Sequence, residues 1–577
     1  MSVPVDRHSR LRRFVRRRFY QFPVKWQLRL KALKKSALGK ADWAGPLKEL
    51  RSREQKYLDD NAAANSMLPG RKRIAIYSLH HFSPVEYGLA AALRLRGHDV
   101  RGVLCDGVLP LCEMNLGPVM RMPCNACVAQ LSQNEDAFGF KYDRLSQFIS
   151  AHDRAKAEDL IARLENHELP NLTVDGIPVG RLARLELQRY YRGFLFEPSR
   201  DPAYRQWMVT AILSTWLSRR CLSKHQPQIL GVCSGRTLAT ACAFGVARQL
   251  GIRVVTWDGA ATFPDTLMFS HDAPATEVPL DDAWDRFSSE PLSQGDAALL
   301  DSHLHRWSRS ENTPFAYNPR PVENECDIRD ALSLRPGARL VVAFTNVCWD
   351  VSVTDRDAGF DSMFDWIFSL IEYARENPDV DVVVRAHPAE TNVPNELRTI
   401  TPVAAEVRRR FVPLPPNVRL IEGNSPISSY SLAAMALVNM VYASRLGLEI
   451  ALRGRRPWIA GAVTYRGKGF TLDIESKEQM LELLANPAES DALDEREIEL
   501  ARRFAFLWFF RYEVRIPLLR VRNNGFSLKS FRQLGPGGDE AVSRVCDAFV
   551  SGKPFIDLTR PDTEDTLPLA TVSPSHV

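Results

Sequence analysis

No apolar run in the 577 residues approaches the roughly 18 that a membrane-spanning helix needs. The N-terminus carries arginine doublets and triplets but lacks the continuous apolar stretch of about 7–15 residues that marks a signal peptide. Both absences point to a cytoplasmic chain. A net excess of positive charge is also missing from most of the sequence. Of the net +6, residues 1–40 contribute +12, thirteen Lys and Arg against the single acid Asp6, so the remainder sits near −6. That leaves no general case for nucleic-acid binding by the body. Ten cysteines in a cytoplasmic chain read as thiols or metal ligands rather than as a disulfide framework.

What is present is enough for two large domains plus extras, with a 45% hydrophobic content that suits buried cores. Residues 1–70 form a basic N-terminal segment in which Phe14, Phe19, Phe22, Trp26, Leu30 and Leu33 alternate with Lys and Arg, and Trp26, Leu30 and Leu33 share a helical face. Basic and aromatic together fit a segment lying on an anionic inner-membrane surface, peripheral rather than spanning. The plainer alternatives are a disordered tail or a helix docked on the body.

From Arg71 the pattern changes to strand, helix, Gly97 turn and strand, the opening of a Rossmann-like domain over residues 71–307. His80 and His81 follow its first strand, and a functional role suits at most one of them. Residues 132–227 are helical in character, an insertion or elaborated connection. The alternation resumes with Ile229–Cys233, then Gly235 and Arg236, a helix, and a strand ending at Trp257 before Asp258 and Gly259. A polar, proline-containing linker (308–325) leads to a second Rossmann-like unit (326–475). Helices are expected over 476–558 and a disordered tail over 559–577.

In the second unit, short β-branched runs such as Val382–Val384 and Val418–Ile421 alternate with helical segments, which argues for a parallel sheet. Polar and Gly-rich groups follow the runs, at the strand ends where open α/β sheets bind ligands. They are Arg385, His387, Pro388 and Glu390; Ser425, Ser428 and Ser429; Ser444, Gly447 and Glu449; and Tyr465, Lys468 and Gly469. His387 can donate to a phosphate, whereas Arg385 serves either a ligand or a structural salt bridge. The serines make either an anion site at a helix start or an N-cap. Glu449 can pair with ribose hydroxyls, and Lys468 can meet an anionic donor or stand as a surface lysine.

Cys105, Cys112, Cys124 and Cys127, spaced C-x6-C-x11-C-x2-C, suit a structural zinc, an iron–sulfur cluster, or unligated thiols. The first pair is too widely spaced for a zinc ribbon.

The pieces RAHPAE, SPISSYSLAAMALVNMVYASRLGLEIALRGRRPWIAG and YRGKGFT, with TNVCWD, SGR and WDGA upstream, resemble the capsule polysaccharide biosynthesis family, which includes bacterial Kdo transferases using a CMP-activated sugar. The likeness covers roughly residues 229–475. It implies an α/β, GT-B-like glycosyltransferase: two Rossmann-like domains facing a cleft, with helical insertion and C-terminal extension. The nucleotide sugar would sit on the second domain, with His387 and Pro388 as the family's His-Pro pair. The acceptor, a lipid-linked glycan, would enter from the first, near His80, His81, Gly235, Arg236 and Gly259, and capsule assembly proteins would be partners. Asp258, where the family often places Glu, is the expected base, with Asp350 as rival. No Asp-X-Asp triplet is expected after a strand in a setting suited to a metal-bound nucleotide sugar, so no cofactor is expected for transfer. The other readings are a UDP-sugar 2-epimerase-like enzyme and a non-catalytic polysaccharide assembly or export factor.

Overall fold

The strand runs read from the sequence become the cores of two sheets. The computed structural model describes residues 44–65, 70–78, 85–113, 124–260, 262, 265–308, 321–350, 353–487, 491–519, 521–522 and 525–556. The basic residues before 44, His80, His81, most of the linker and the tail lie outside these.

The first sheet contains β1 (Arg73–Ser78), β2 (Asp99–Leu104), β3 (Asp143–Arg144), β4 (Ile229–Cys233), β5 (Arg253–Gly259) and β6 (Thr266–His271). From β6 the spatial order runs β6-β5-β4-β1-β2-β3, parallel except for the β5–β6 pair. The second sheet contains β7 (Arg339–Phe344), β8 (Val380–Arg385), β9 (Val418–Ile421), β10 (Val438–Val441), β11 (Pro457–Ile459) and β12 (Leu472–Asp473), all parallel in the order β12-β11-β10-β7-β8-β9. Burial on both faces explains the unbroken apolar runs: every residue of β8 is buried. Each sheet forks once, between β1 and β4 and between β7 and β10, and such forks open a crevice at the carboxyl ends.

Three features differ from the sequence expectation. The strand ending at Trp257 continues through Gly259 and returns as β6, pairing Asp258 with Met268, so Asp258 lies inside a strand rather than beyond one. The helical insertion is a layer of the first domain: helix Pro202–His225, capped by Asp201 on the Ala203 amide at 2.7 Å, packs Trp207, Met208 and Ile212 into the same core as Ala75, Tyr77, Leu230 and Val232. Finally, the C-terminal segment crosses back. β13 (Val514–Arg515) pairs antiparallel with β6 to make the first sheet seven-stranded, and helix Glu540–Ser551 buries Val542, Val545 and Phe549 against Val85 and Leu89. Among the described residues no helix is long and apolar enough to cross a membrane.

The domains meet at the carboxyl edges of their sheets. Arg236, after β4, pairs with Glu277 at 2.6 Å and donates to the Thr354 carbonyl after β7, while Arg356 donates to the Thr276 carbonyl at 3.1 Å.

Candidate active site

β8 delivers Arg385 and then His387 to the carboxyl edge. His387 is half-buried, and its Nδ1 accepts from the Ala389 amide at 3.1 Å, capping the short turn Pro388–Glu390. Burial lowers its pKa to about 4, with Asp350 pulling the other way and Arg385 adding a smaller push down. The ring is therefore neutral near pH 7 and carries its proton on Nε2, a donor. Asp350 acts electrostatically on this ring from the loop after β7.

Arg385 belongs to the scaffold. Only 1% exposed, it donates to the carbonyls of Glu422 (2.6 Å), Ser425 and Ile427 (3.4 Å each), shaping the loop that bears Ser425. Glu390, fully buried, is pushed up to about 8 by desolvation, and its Oε1 accepts from the Val403 amide at 3.2 Å. Ser428 is an N-cap, accepting from the Ser431 amide at 3.2 Å, with Ser429 opening helix Ser429–Met435, and Ser425 Oγ accepts from the Ile427 amide at 3.4 Å.

After β10, Glu449 is 6% exposed and accepts from Tyr430 Oη at 2.6 Å and Arg445 Nε at 3.2 Å. Arg445 stacks on Trp307 at 3.8 Å and reaches Thr262 of the first domain at 3.2 Å. Asn346, at the end of β7, holds both backbone groups of Ala443, accepting from its amide at 3.0 Å and donating to its carbonyl at 3.2 Å, so the two sides of the fork are clipped together. Gly447 makes room for Tyr465 rather than for a ligand: a Cβ there would sit 2.2 Å from the Tyr465 hydroxyl, which donates to the Ser444 carbonyl. Ser444 Oγ accepts from the Leu446 amide at 3.2 Å. Lys468 pairs with Asp281 of the first domain, and Gly469 takes a left-handed φ of +90°. Near the β4 end, Gly235 also has a positive φ, +74°.

The expected base Asp258 accepts from its own neighbour Gly259 at 2.7 Å. It lies in β5 of the first sheet, whereas Asp350 lies in the loop after β7 of the second. The cysteines divide: Cys105, Cys112 and Cys124 line one pocket, Cys127 packs against the first core, and Cys105 is pushed up to about 11 by burial. None of the four is in a disulfide, and among the described residues no group of three or more His, Cys, Asp or Glu is placed to hold a metal ion. An Asp-X-Asp triplet, Asp355-Arg356-Asp357, does stand in the loop after β7. Its carboxylates are engaged by Arg181 (3.1 Å) and by the Tyr442 hydroxyl.

Sequence reasoning missed Arg445, whose four-residue spacing to Glu449 was a visible helical-pair signal. It also missed two carboxylates at the first turn of helix Leu238–Gln249. Glu113 accepts from Thr237 Oγ1 (3.0 Å) and the Ala239 amide (3.1 Å), and Glu186, raised by burial, accepts from the Leu238 amide (3.4 Å). Nothing local in the sequence joins residues that far apart.

Two doubly wound sheets with facing carboxyl edges define the architecture. The fold is GT-B-like. No family model and no curated protein matches the chain. Solved structures of similar fold include two KpsC proteins of Thermosulfurimonas dismutans. The β-Kdo 2,7 transferase is 13% identical with a TM-score of 0.30 over 59% of this chain and 92% of that one. The β-Kdo 2,4 transferase is 14% identical with a TM-score of 0.33 over 56% and 86%. The UDP-GlcNAc 2-epimerase of Neisseria meningitidis is 11% identical with a TM-score of 0.23 over 75% and 98%.

Proposed function

We propose that the chain is a glycosyltransferase that takes a sugar from a nucleotide donor, CMP-Kdo or a related CMP-activated acid, and adds it to a lipid-linked or growing surface polysaccharide. The observation that supports this reading is the placement of His387 after β8 and of Glu449 after β10, with Arg445, the ion-pair partner of Glu449, reaching Thr262 of the first domain. A neutral imidazole with Nε2–H supplies a hydrogen bond to the leaving phosphate as charge develops on it. Glu449 uses two of a carboxylate's roughly four acceptor positions on Tyr430 and Arg445, leaving capacity for ribose hydroxyls. Asp258 is the proposed proton acceptor from the acceptor hydroxyl, with Asp350 as the alternative. The choice of CMP rests on the motif resemblance.

Calorimetry with CMP, UDP and GDP tests the reading. CMP is expected to bind most tightly; binding of none would sink it in favour of an assembly role, and release of free sugar or epimer without acceptor would favour the epimerase-like alternative. Transfer is proposed to need no metal, so rescue by magnesium of activity abolished by EDTA would contradict that part. The basic residues 1–40 are proposed to hold the protein on an anionic membrane; their deletion is expected to release it while sparing activity on a soluble acceptor.

A further inference from the structure

A pocket lies where the helical insertion meets the loop after β7, apart from the groups assigned above. Helix Val179–Tyr191 lines it with Arg184 and Gln188, four residues apart and so on one face, and Phe194 follows just beyond the helix. The second domain contributes Asp357, Asp361 and Tyr442. Tyr442 directly follows β10 and the two aspartates lie in the loop after β7, so the pocket opens at the fork of the second sheet.

Two polar side chains in it make no hydrogen bond to a described residue, although Arg184 acts electrostatically on Asp357. Gln188 is only 4% exposed, yet its carboxamide makes no hydrogen bond to any described residue. Arg184 makes no hydrogen bond or ion pair with any described residue, whereas Arg181 and Arg189 on the same helix are held by Asp355 and Glu186. Neither carries a fully buried orphan atom, so both present polar atoms that a ligand in the pocket can bond in place of water.

The donor and acceptor set selects the ligand. Asp357 and Asp361 outweigh the single charge of Arg184, so a phosphate or uronate is disfavoured. Carboxylate acceptors, an amide that both donates and accepts, a guanidinium fork and one aromatic wall together match a ring bearing several hydroxyls. We propose that this pocket holds a neutral, hydroxyl-bearing sugar residue of the acceptor glycan, bonded by Gln188 and Arg184 from the insertion and by Asp357 from the second domain. The assignment rests on the transferase reading and gives the insertion a part in acceptor recognition.

Saturation-transfer NMR on the full chain tests it, with methyl β-D-galactopyranoside and methyl β-D-ribofuranoside at about 10 mM, enough to load a millimolar site, and glucuronate as the anionic control. The wild-type chain is expected to transfer saturation to at least one neutral glycoside and not to glucuronate. The signal should fall about five- to ten-fold in Gln188→Leu and in Arg184→Met, the loss expected for one or two hydrogen bonds. If Gln188→Leu fails to fold, Arg184→Met, altered at a half-buried position, decides alone. No transfer to either neutral glycoside, unchanged signal in folded variants, or glucuronate binding as strong as neutral binding overturns the proposal. Calorimetry with CMP on the same wild-type sample separates the two readings, because loss of nucleotide binding would refute the transferase reading and leave the glycoside result to be judged by itself.

Discussion

The Ala389 amide donates to His387 Nδ1 at 3.1 Å, which fixes the tautomer of the histidine as well as its position. Replacement by Asn keeps an acceptor near Nδ1 but removes the Nε2 donor. His387→Asn is expected to keep wild-type thermal stability at pH 7.5 and to weaken CMP binding about 10-fold, the scale of one charge-assisted hydrogen bond. Calorimetry reads the affinity, and unchanged affinity would remove His387 from the site. Because the folded pKa is lowered to about 4, the ring stays neutral through the usual assay range. Its contribution to stability is fully present above the ordinary value near 6.5 and is lost as pH falls toward 4.

Glu390 gives the opposite sign. Its folded pKa is raised to about 8 by burial, so the folded state keeps a proton that the unfolded chain has released. Stability is fully present below about pH 4.5 and falls as pH rises through 8. Glu390→Gln, which mimics the protonated form, is expected to flatten that decline by a few kcal/mol between pH 5 and pH 9. Urea unfolding of both proteins at the two pH values measures it, and parallel declines would show that Glu390 is ionised in the fold.

These two groups show what the sequence makes legible. The strand and helix spans around them were readable because Val382–Val384 and the capped helices carry local signals, and Ser428 took the N-cap role that its position allowed. The roles of Arg385 and Lys468 were not readable. Arg385 turns to carbonyls 37–42 residues away, and Lys468 to Asp281, 187 residues away. Such partners are set by tertiary packing, which leaves no periodic trace. The return of β13 is hidden for the same reason, since two residues cannot show an alternation.

Lys468 yields its own prediction. Its ammonium is committed to Asp281, an 81% exposed side chain. Lys468→Ala is expected to cost about 0–1 kcal/mol of stability and to leave CMP affinity unchanged. A tenfold loss of affinity in the variant would restore Lys468 to the donor site.

Gly447 and Tyr465 form a tighter couple, because a Cβ at 447 would stand 2.2 Å from the tyrosine hydroxyl. Gly447→Ala is expected to destabilise by about 1–3 kcal/mol through overpacking. Tyr465→Phe removes the clashing oxygen together with its bond to the Ser444 carbonyl. The double variant should therefore be less destabilised than the sum of the two singles, a coupling that a double-mutant cycle reads directly. Additive effects would mean that the backbone, not the hydroxyl, excludes the methyl group.

Glu449 offers the most direct test of nucleotide recognition. With Tyr430 on one oxygen and Arg445 on the other, the carboxylate is held in place, and it still has acceptor positions to offer. If ribose hydroxyls fill them, the protein should prefer CMP over 2′-deoxy-CMP by about 5- to 10-fold, the worth of one hydrogen bond to a charged acceptor. Glu449→Gln should erase that preference while weakening 2′-deoxy-CMP little, because the loss falls on the hydroxyl contact alone. Paired titrations of both nucleotides against both proteins measure this, and a preference that survives the substitution would place the ribose elsewhere and leave Glu449 as the clamp of Arg445.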